Sequence, residues 1–190
     1  MAELEKYIQE YFGVADEELA VISGLFKPSK LSKGDYFLKT GQYGDKLSFI
    51  KSGLFRIYAY KDDKEITQWI ASPGYFITEL GSLIFNQPAR FYIQALTDAE
   101  LYTIYKDDYN SLSQLVPKWP HLEKLFIAKC FIMLEDRVFT HLSMSAEERY
   151  RLLFEQNKEL FNQVPLQFIA SMLGITPETL SRIRAKHLQL

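Results

Sequence analysis

Glu178 and Arg182 lie four residues apart near the end of this 190-residue sequence, and both side chains can read a pattern of hydrogen-bond donors and acceptors. A glutamate accepts from the amino group of cytosine and an arginine donates twice to guanine; each good pair gives roughly 1 to 3 kcal/mol of discrimination between bases. On a helix the same spacing favours a surface ion pair, worth about 0.3 to 0.5 kcal/mol. We predict base reading by this pair, with the ion pair as the alternative in the free protein.

A helix-turn-helix over residues 164–184 is predicted to position these side chains. Its first helix has one apolar face, with residues at i, i+3, i+4 and i+7, namely Leu166, Ile169, Ala170 and Leu173. Gly174 ends that helix, because glycine accepts the left-handed conformation without steric cost. A threonine then caps the second helix and a proline begins it. Leu180 and Ile183 form its inward face. The residues that remain for DNA contacts are Thr176, Pro177, Glu178, Thr179, Ser181, Arg182, Arg184 and Lys186. Similar helix pairs also occur in bundles that do not bind DNA, which is the alternative for the motif alone.

Composition and charge limit the class of protein. The hydrophobic content of 47% suits a packed core, and no apolar run approaches the roughly 20 residues that span a bilayer. The first residues lack the features of a secretory signal, and the single Cys130 fits a reducing compartment, so we expect a cytoplasmic protein without a membrane partner. The net charge is −2, but residues 161–190 carry +2. Because this positive charge is small, we expect two copies to bind double-stranded DNA together.

Short strands are predicted from Phe26 to about Tyr105. Runs rich in Tyr, Phe, Ile and Leu alternate there with glycine and aspartate turns, which is typical of an all-β sandwich or barrel. The segment 61–64, Lys-Asp-Asp-Lys, is predicted to be the tip of a hairpin. Amphipathic helices are predicted before the strands, over 4–12 and 16–25, and after them, over 107–115.

A long helix is predicted to follow, beginning near Pro117 or Pro120 and ending near residue 142. Its apolar residues cover more than one face, so a single partner cannot bury them all. We expect one face to pack on the β domain and another to meet a second copy of the chain; a helix wholly inside one subunit is the alternative. Ser145 and Glu148 have the spacing of a capping box, which predicts a further helix to about Asn157.

This order of elements resembles the Crp/Fnr family of bacterial transcription regulators. The resemblance depends on the segment 174–182 and on glycines of the β region, which are Gly34, Gly44, Gly53 and Gly74. It implies an α+β fold in three parts. These are an N-terminal double-stranded β-helix or jelly roll that senses an effector, over residues 1–116, a long dimerisation helix over 117–142, and a helix-turn-helix DNA-binding domain over 143–190.

The same resemblance implies partners and DNA contacts. Four residues match positions at which the family touches DNA, namely Glu178, Thr179, Ser181 and Arg182. It also implies a homodimer on a near-palindromic operator, with RNA polymerase as a further partner. The family usually adds a small β wing after the second helix. Only six residues follow Arg184, so we expect the phosphate contacts of a wing to be absent or replaced.

The resemblance further implies a candidate effector pocket. In the cyclic nucleotide branch, a glutamate binds the ribose and an arginine followed by a small hydroxyl residue binds the cyclic phosphate. The residues that match this pocket are Glu79, Leu80, Gly81 and Arg90. Phe91 stands where a hydroxyl is expected, which removes a phosphate donor, and Arg90 is one position further from Glu79 than in that branch. A cyclic nucleotide is therefore one candidate ligand. The alternatives are a pocket tuned to something else, or a structural role in which Glu79 serves loop N-H groups and Arg90 is a solvated charge.

Residue counts disfavour other cofactors and reactions. An iron-sulfur cluster needs about four thiolates, and the chain has one cysteine. No histidine precedes His121, so the β region lacks the clustered ligands of a jelly-roll metalloenzyme and the axial histidine of a haem site. We predict no metal site and no enzyme activity. The predicted function is regulation of transcription; the alternative is a nucleotide- or partner-binding regulatory protein that has lost DNA binding.

Overall fold

Two four-stranded sheets form the β region of the computed structural model, which describes residues 2–187 and, for residues 10–12, the backbone alone. The strands are β1 Lys27–Leu31, β2 Tyr36–Leu38, β3 Lys46–Ser52, β4 Phe55–Lys61, β5 Lys64–Ala71, β6 Phe76–Ile77, β7 Tyr92–Ala95 and β8 Ala99–Tyr105. The strand orders are β1-β8-β3-β6 and β2-β7-β4-β5, so β5 is an edge strand. With the helices below, this confirms the predicted α+β fold with an N-terminal β roll.

Helices precede and follow the strands, and one short helix, α3, lies between β6 and β7. They are α1 Ala2–Phe12, α2 Asp16–Gly24, α3 Leu80–Phe85, α4 Lys106–Leu115, α5 Trp119–Ser143, α6 Ala146–Gln156, α7 Leu160–Gln163, α8 Leu166–Met172 and α9 Pro177–His187. Seven of them correspond to helices that the sequence predicts, with ends within a few residues. The two that it does not predict, α3 and α7, have only six and four residues. In residues 2–187, no helix is both long and apolar enough to cross a membrane.

The chain folds into two compact units, each built from two separate segments. The first is Met1–Ile57 with Ile70–Cys130, and the second is Tyr58–Trp69 with Phe131–Leu190. In the first unit, burial alternates along β8, where Ala99, Leu101 and Thr103 are buried, as expected for a strand with one face on a core. On the other face of this sheet, Ile104 of β8 and Phe49 of β3 pack in a hydrophobic cluster that also contains Trp119 at the start of α5.

The second unit combines the end of the β4–β5 hairpin with the C-terminal helices. Asp62 and Asp63 at the tip have φ angles of 49° and 60°, as a tight hairpin turn requires, so the predicted tip is confirmed. The outer edge of β5 meets α8. The N-H of Thr67 donates to Ser171 Oγ at 2.9 Å, and Ser171 Oγ donates to the Glu65 carbonyl at 3.4 Å. One serine side chain therefore pairs with the open edge of the sheet.

The start of α6 confirms the predicted capping box. Ser145 Oγ accepts from the N-H of Glu148 at 3.3 Å, and Glu148 Oε2 accepts from the N-H of Ser145 at 2.8 Å. This reciprocal pair satisfies two N-H groups that a helix start otherwise leaves free. The box lowers the pKa of the Glu148 carboxyl, chiefly through the hydrogen bond with Ser145.

Candidate functional site

The helices α8 and α9 form a helix pair with a shared buried face. Ile169, Ala170 and Leu180 are fully buried in it. Between the helices, Gly174 has a φ of +68°, and the following Ile175 donates its N-H to the Ala170 carbonyl at 3.0 Å. The left-handed glycine thus ends α8 and turns the chain into α9.

Thr176 caps the start of α9. Its Oγ1 accepts from the N-H of Thr179 at 3.2 Å, which satisfies one of the free donors of the first turn. Pro177 then occupies the first helical position, where its missing N-H costs nothing. The Thr179 hydroxyl lies 3.2 Å from the Thr176 hydroxyl, and Thr179 is partly buried. Both threonines therefore stabilise the first turn of α9.

The outer side of α9 presents a continuous exposed surface, which we call the recognition face. Its members follow the spacing i, i+1, i+4, i+5 and i+8 on one side of a helix and are Pro177, Glu178, Ser181, Arg182 and Ala185. Four of them were predicted from the sequence. Ala185 was missed, although its position one turn after Ser181 and Arg182 on a helix would have indicated it.

Glu178 and Arg182 do not form the ion pair of the alternative interpretation in the part of the chain that the structure describes. Arg182 Nη2 instead donates weakly to Thr179 Oγ1 at 3.4 Å. The backbone N-H at Glu178 and the Thr176 hydroxyl both lower the pKa of the Glu178 carboxyl, so it is an anionic acceptor at neutral pH. Both side chains are exposed, and their polar groups are available for a partner.

Arg184 and Lys186 contact other helices of the second unit. The Arg184 guanidinium lies 6.0 Å from the ring centroid of Phe161, next to α7. Lys186 Nζ pairs with Glu147 of α6 at 3.0 Å, and Glu147 also binds Arg151 at 2.6 Å. These contacts lower the pKa of Glu147, with the Lys186 hydrogen bond as the largest cause. Two of the three predicted cations therefore lie against α6 and α7.

A cluster of aromatic side chains from α6 and α7 packs against the last turn of α9. Tyr150 of α6 is almost fully buried, stacks with Phe154 at 5.8 Å and meets Phe161 edge-on at 5.4 Å. His187, in the last turn of α9, packs against both Tyr150 and Phe154. The helix α6 therefore contacts the last turn of α9 through aromatic side chains.

The candidate effector residues come together in the first unit, but they bind each other. Glu79 is 5% exposed, and its Oε2 accepts from the N-H of Ser82 at 2.7 Å, which caps α3. Its Oε1 accepts from Arg90 Nε at 3.1 Å, while the Arg90 side chain is 72% exposed. Leu80 and Gly81 form the first turn of α3 and are partly buried. Glu79 therefore caps an N-H group in the first turn of a helix, and Arg90 is both solvated and paired.

Three comparisons place these features among known proteins. Residues 28–115 match the cyclic nucleotide-binding domain family. The chain is 23% identical over 180 residues to the cyclic AMP receptor protein of Thermus thermophilus, across 91% of this chain and 82% of the relative. Its fold resembles FixK2 from Bradyrhizobium japonicum, with a TM-score of 0.71, 18% identity and coverage of 86% and 85% of the two chains. It also resembles CLP from Xanthomonas campestris, described as a c-di-GMP responsive global regulator, with a TM-score of 0.69, 20% identity and 92% coverage of each chain.

Proposed function

We propose that this chain, whose residues 28–115 match the cyclic nucleotide-binding domain family, is a homodimeric transcription regulator of the Crp/Fnr type that binds DNA. The recognition face carries the proposal, because a capped helix with one buried side presents acidic, hydroxyl and basic groups together on its exposed side. Structural relatives over most of the chain include a protein described as a global regulator, which supports the same function.

Base reading is assigned to the recognition face. The first residues of a recognition helix contact base edges in the major groove, and α9 places Glu178, Ser181 and Arg182 within its first two turns. Glu178 would accept from cytosine and Arg182 would donate to guanine. Ala185 adds a small apolar group that suits the methyl group of thymine. DNA contacts by Thr176, Pro177, Thr179, Arg184 and Lys186 remain predictions.

Dimerisation is assigned to an apolar stripe on α5. Its members are at least half exposed and recur at intervals of three or four residues, namely Phe131, Leu134, Val138 and Leu142. That spacing is typical of the seam between two paired helices. An exposed stripe of this kind marks an interaction surface. Pairing of two α5 helices about a two-fold axis would present two recognition helices to successive major grooves, about 34 Å apart.

The division of labour follows from these assignments. We assign residues 1–116 to effector sensing, 117–142 to dimerisation and 143–190 to DNA binding. The Arg90 guanidinium already pairs with Glu79 through Nε and Nη2, so an anionic effector in the β roll would compete with that carboxylate for it. Calorimetry with cyclic AMP and cyclic GMP distinguishes a cyclic nucleotide from another effector. RNA polymerase as a further partner is a prediction from the family resemblance alone.

One observation favours the alternative, a regulatory protein that has lost DNA binding. Lys186 is paired with Glu147 and Arg184 lies on Phe161, which leaves Arg182 as the single cation of the recognition face as defined above. Phosphate contacts supply a large share of the affinity of many DNA-binding proteins. With one cation on the recognition face, a single chain has few phosphate contacts. If the protein binds DNA, its affinity for DNA therefore depends strongly on dimerisation.

Selection of bound fragments from genomic DNA tests the proposal. We expect an approximate palindrome to be enriched, and Arg182→Ala to weaken binding to it far more than to random DNA. Arg151→Ala, which removes a cation from α6, is the matched control and should leave the preference unchanged. If no sequence is enriched, sequence-specific DNA binding is refuted; if Arg182→Ala weakens binding to both DNAs equally, Arg182 contacts phosphate and not bases.

A further inference from the structure

The second unit contains a cavity of about 290 Å³ between the second half of α5, α6 and the end of α8. Trp69 of β5 lies on one side of it, and most of the lining is apolar, including Met133, Leu153 and Met172. Pockets that bind small organic molecules begin at about 300 Å³ and are mostly apolar with a few polar groups. The size and lining therefore fit a compact organic ligand.

Arg137 is a partly buried cation in this lining. Its guanidinium stacks over Trp69, 4.9 Å from the ring centroid. Burial lowers the pKa of Arg137 below its ordinary value. Within residues 2–187, this guanidinium makes neither a hydrogen bond nor an ion pair, although the carboxylate of Asp136 also lines the cavity. A partly desolvated cation without an anionic or hydrogen-bonding partner is costly, so an anion beside it is stabilised.

Arg149 shows how a structural arginine behaves in the same cavity. Its Nε donates to the Leu173 carbonyl at 3.1 Å and its Nη1 donates to the Met144 carbonyl at 2.6 Å. His141 is likewise engaged, with its ring nitrogens 3.0 and 3.2 Å from the carbonyl oxygens of Arg137 and Met172. Arg137 is thus the one uncommitted cation among the described residues of the lining.

We propose that this cavity binds a small organic acid, with its carboxylate on Arg137 and its apolar body against Trp69, Met133 and Met172. A guanidinium presents a planar fork of donors that matches a carboxylate, and stacking on an aromatic ring fixes that fork in advance. One uncommitted arginine beside Asp136 favours a singly charged acid over a doubly charged phosphate. This site is separate from Glu79 and Arg90, so it does not depend on the proposed effector site of the β roll.

The position of the cavity connects it to the helix pair. Met172 and Leu173 line it and stand immediately before the turn at Gly174. The carbonyls of these two residues are the acceptors for His141 and Arg149. A bound acid therefore contacts the end of α8, and any effect on operator affinity is a second readout that rests on the proposed function.

Nuclear magnetic resonance of the full chain tests the site without DNA. The chain has two tryptophans, so the ¹⁵N spectrum contains two indole N-H signals, which Trp69→Phe assigns. Titration with 3-phenylpropionate is expected to move the Trp69 signal saturably and to leave that of Trp119, which is buried in the first unit, in place. The neutral 3-phenylpropionamide should bind about tenfold more weakly, since it lacks the charge that Arg137 recognises.

Matched variants locate the binding. Arg137→Gln should weaken binding of the acid about tenfold, whereas Arg151→Gln on the surface of α6 should leave it within about twofold. The proposal is overturned if the Trp69 signal does not move, if acid and amide bind equally, or if both variants weaken binding equally. The comparison of acid with amide uses the unmodified chain, so it decides the question even if Arg137→Gln fails to fold. Binding without an effect on operator affinity would refute the coupling to α8 and leave the site itself supported.

Discussion

Glu79 is expected to stabilise the protein through α3 more than through its ion pair with Arg90. The carboxylate is buried and accepts from the Ser82 N-H at 2.7 Å, and hydrogen bonds to charged groups contribute about 1.5 to 3 kcal/mol. The carbonyl of Glu79, 3.1 Å from the same N-H, remains as a weaker acceptor when the side chain is removed. We therefore expect Glu79→Ala to lower the free energy of unfolding by about 1 to 3 kcal/mol.

Arg90→Ala is the matched perturbation of the other partner. The Arg90 side chain is 72% exposed, and solvent screening reduces the contribution of such an ion pair to stability to about 0 to 1 kcal/mol. Glu79→Gln should lower the free energy of unfolding by an amount between those of Glu79→Ala and Arg90→Ala, because the amide oxygen still accepts from Ser82 while the charge is lost. In a chain that already carries Arg90→Ala, Glu79→Ala should lower the free energy of unfolding nearly as much as it does in the unmodified chain.

Urea unfolding of the first unit provides the assay. In a Trp69→Phe background, the fluorescence of buried Trp119 reports on the unit that contains Glu79. If Arg90→Ala lowers the free energy of unfolding as much as Glu79→Ala does, the ion pair dominates and our reasoning about the cap is wrong. If both variants are neutral, α3 does not need its cap.

Two further predictions concern charge and assembly. Hydrogen bonds from Lys30, at 2.8 Å, and Lys51, at 2.7 Å, lower the pKa of Glu100 from 4.5 to about 2. This carboxylate should therefore stabilise the fold above pH 4.5 and lose that contribution as the pH falls toward 2; a carbon NMR titration should find the midpoint near pH 2, and Lys30→Met with Lys51→Met should raise it toward 4.5. Val138→Glu, in the middle of the α5 stripe, should convert dimers to monomers in analytical sedimentation, and an unchanged dimer would contradict pairing through α5.

Local signals explain what the sequence could predict. The helix pair follows from apolar spacing and from Gly174 and Thr176, which act on their own turns. The capping box at Ser145 and the hairpin tip at Asp62 are equally local. In each case, residues within about four positions determine the conformation, so one sequence is enough to recognise it.

What the sequence could not predict depends on distant partners. The short helix α3 has too few residues for a periodic pattern and begins at a side-chain cap. Lys186 looks available for phosphate in the sequence, but its partner Glu147 is 39 residues away. The spacing between Glu79 and Arg90 disfavours a phosphate site, but it does not indicate that the two side chains bind each other. Such pairings follow from tertiary packing and carry no local signature.

The contact between Ser171 and β5 has a consequence for solubility. β5 is the last strand of its sheet, and its outer N-H and C=O groups at residues 67 and 65 are engaged by one serine of α8. An uncovered strand edge is a template for pairing with another chain, and native proteins protect such edges. Movement of α8 away from the hairpin would uncover this edge. Helix α8, which helps to position the recognition face, therefore also protects the edge of β5 from pairing with another chain.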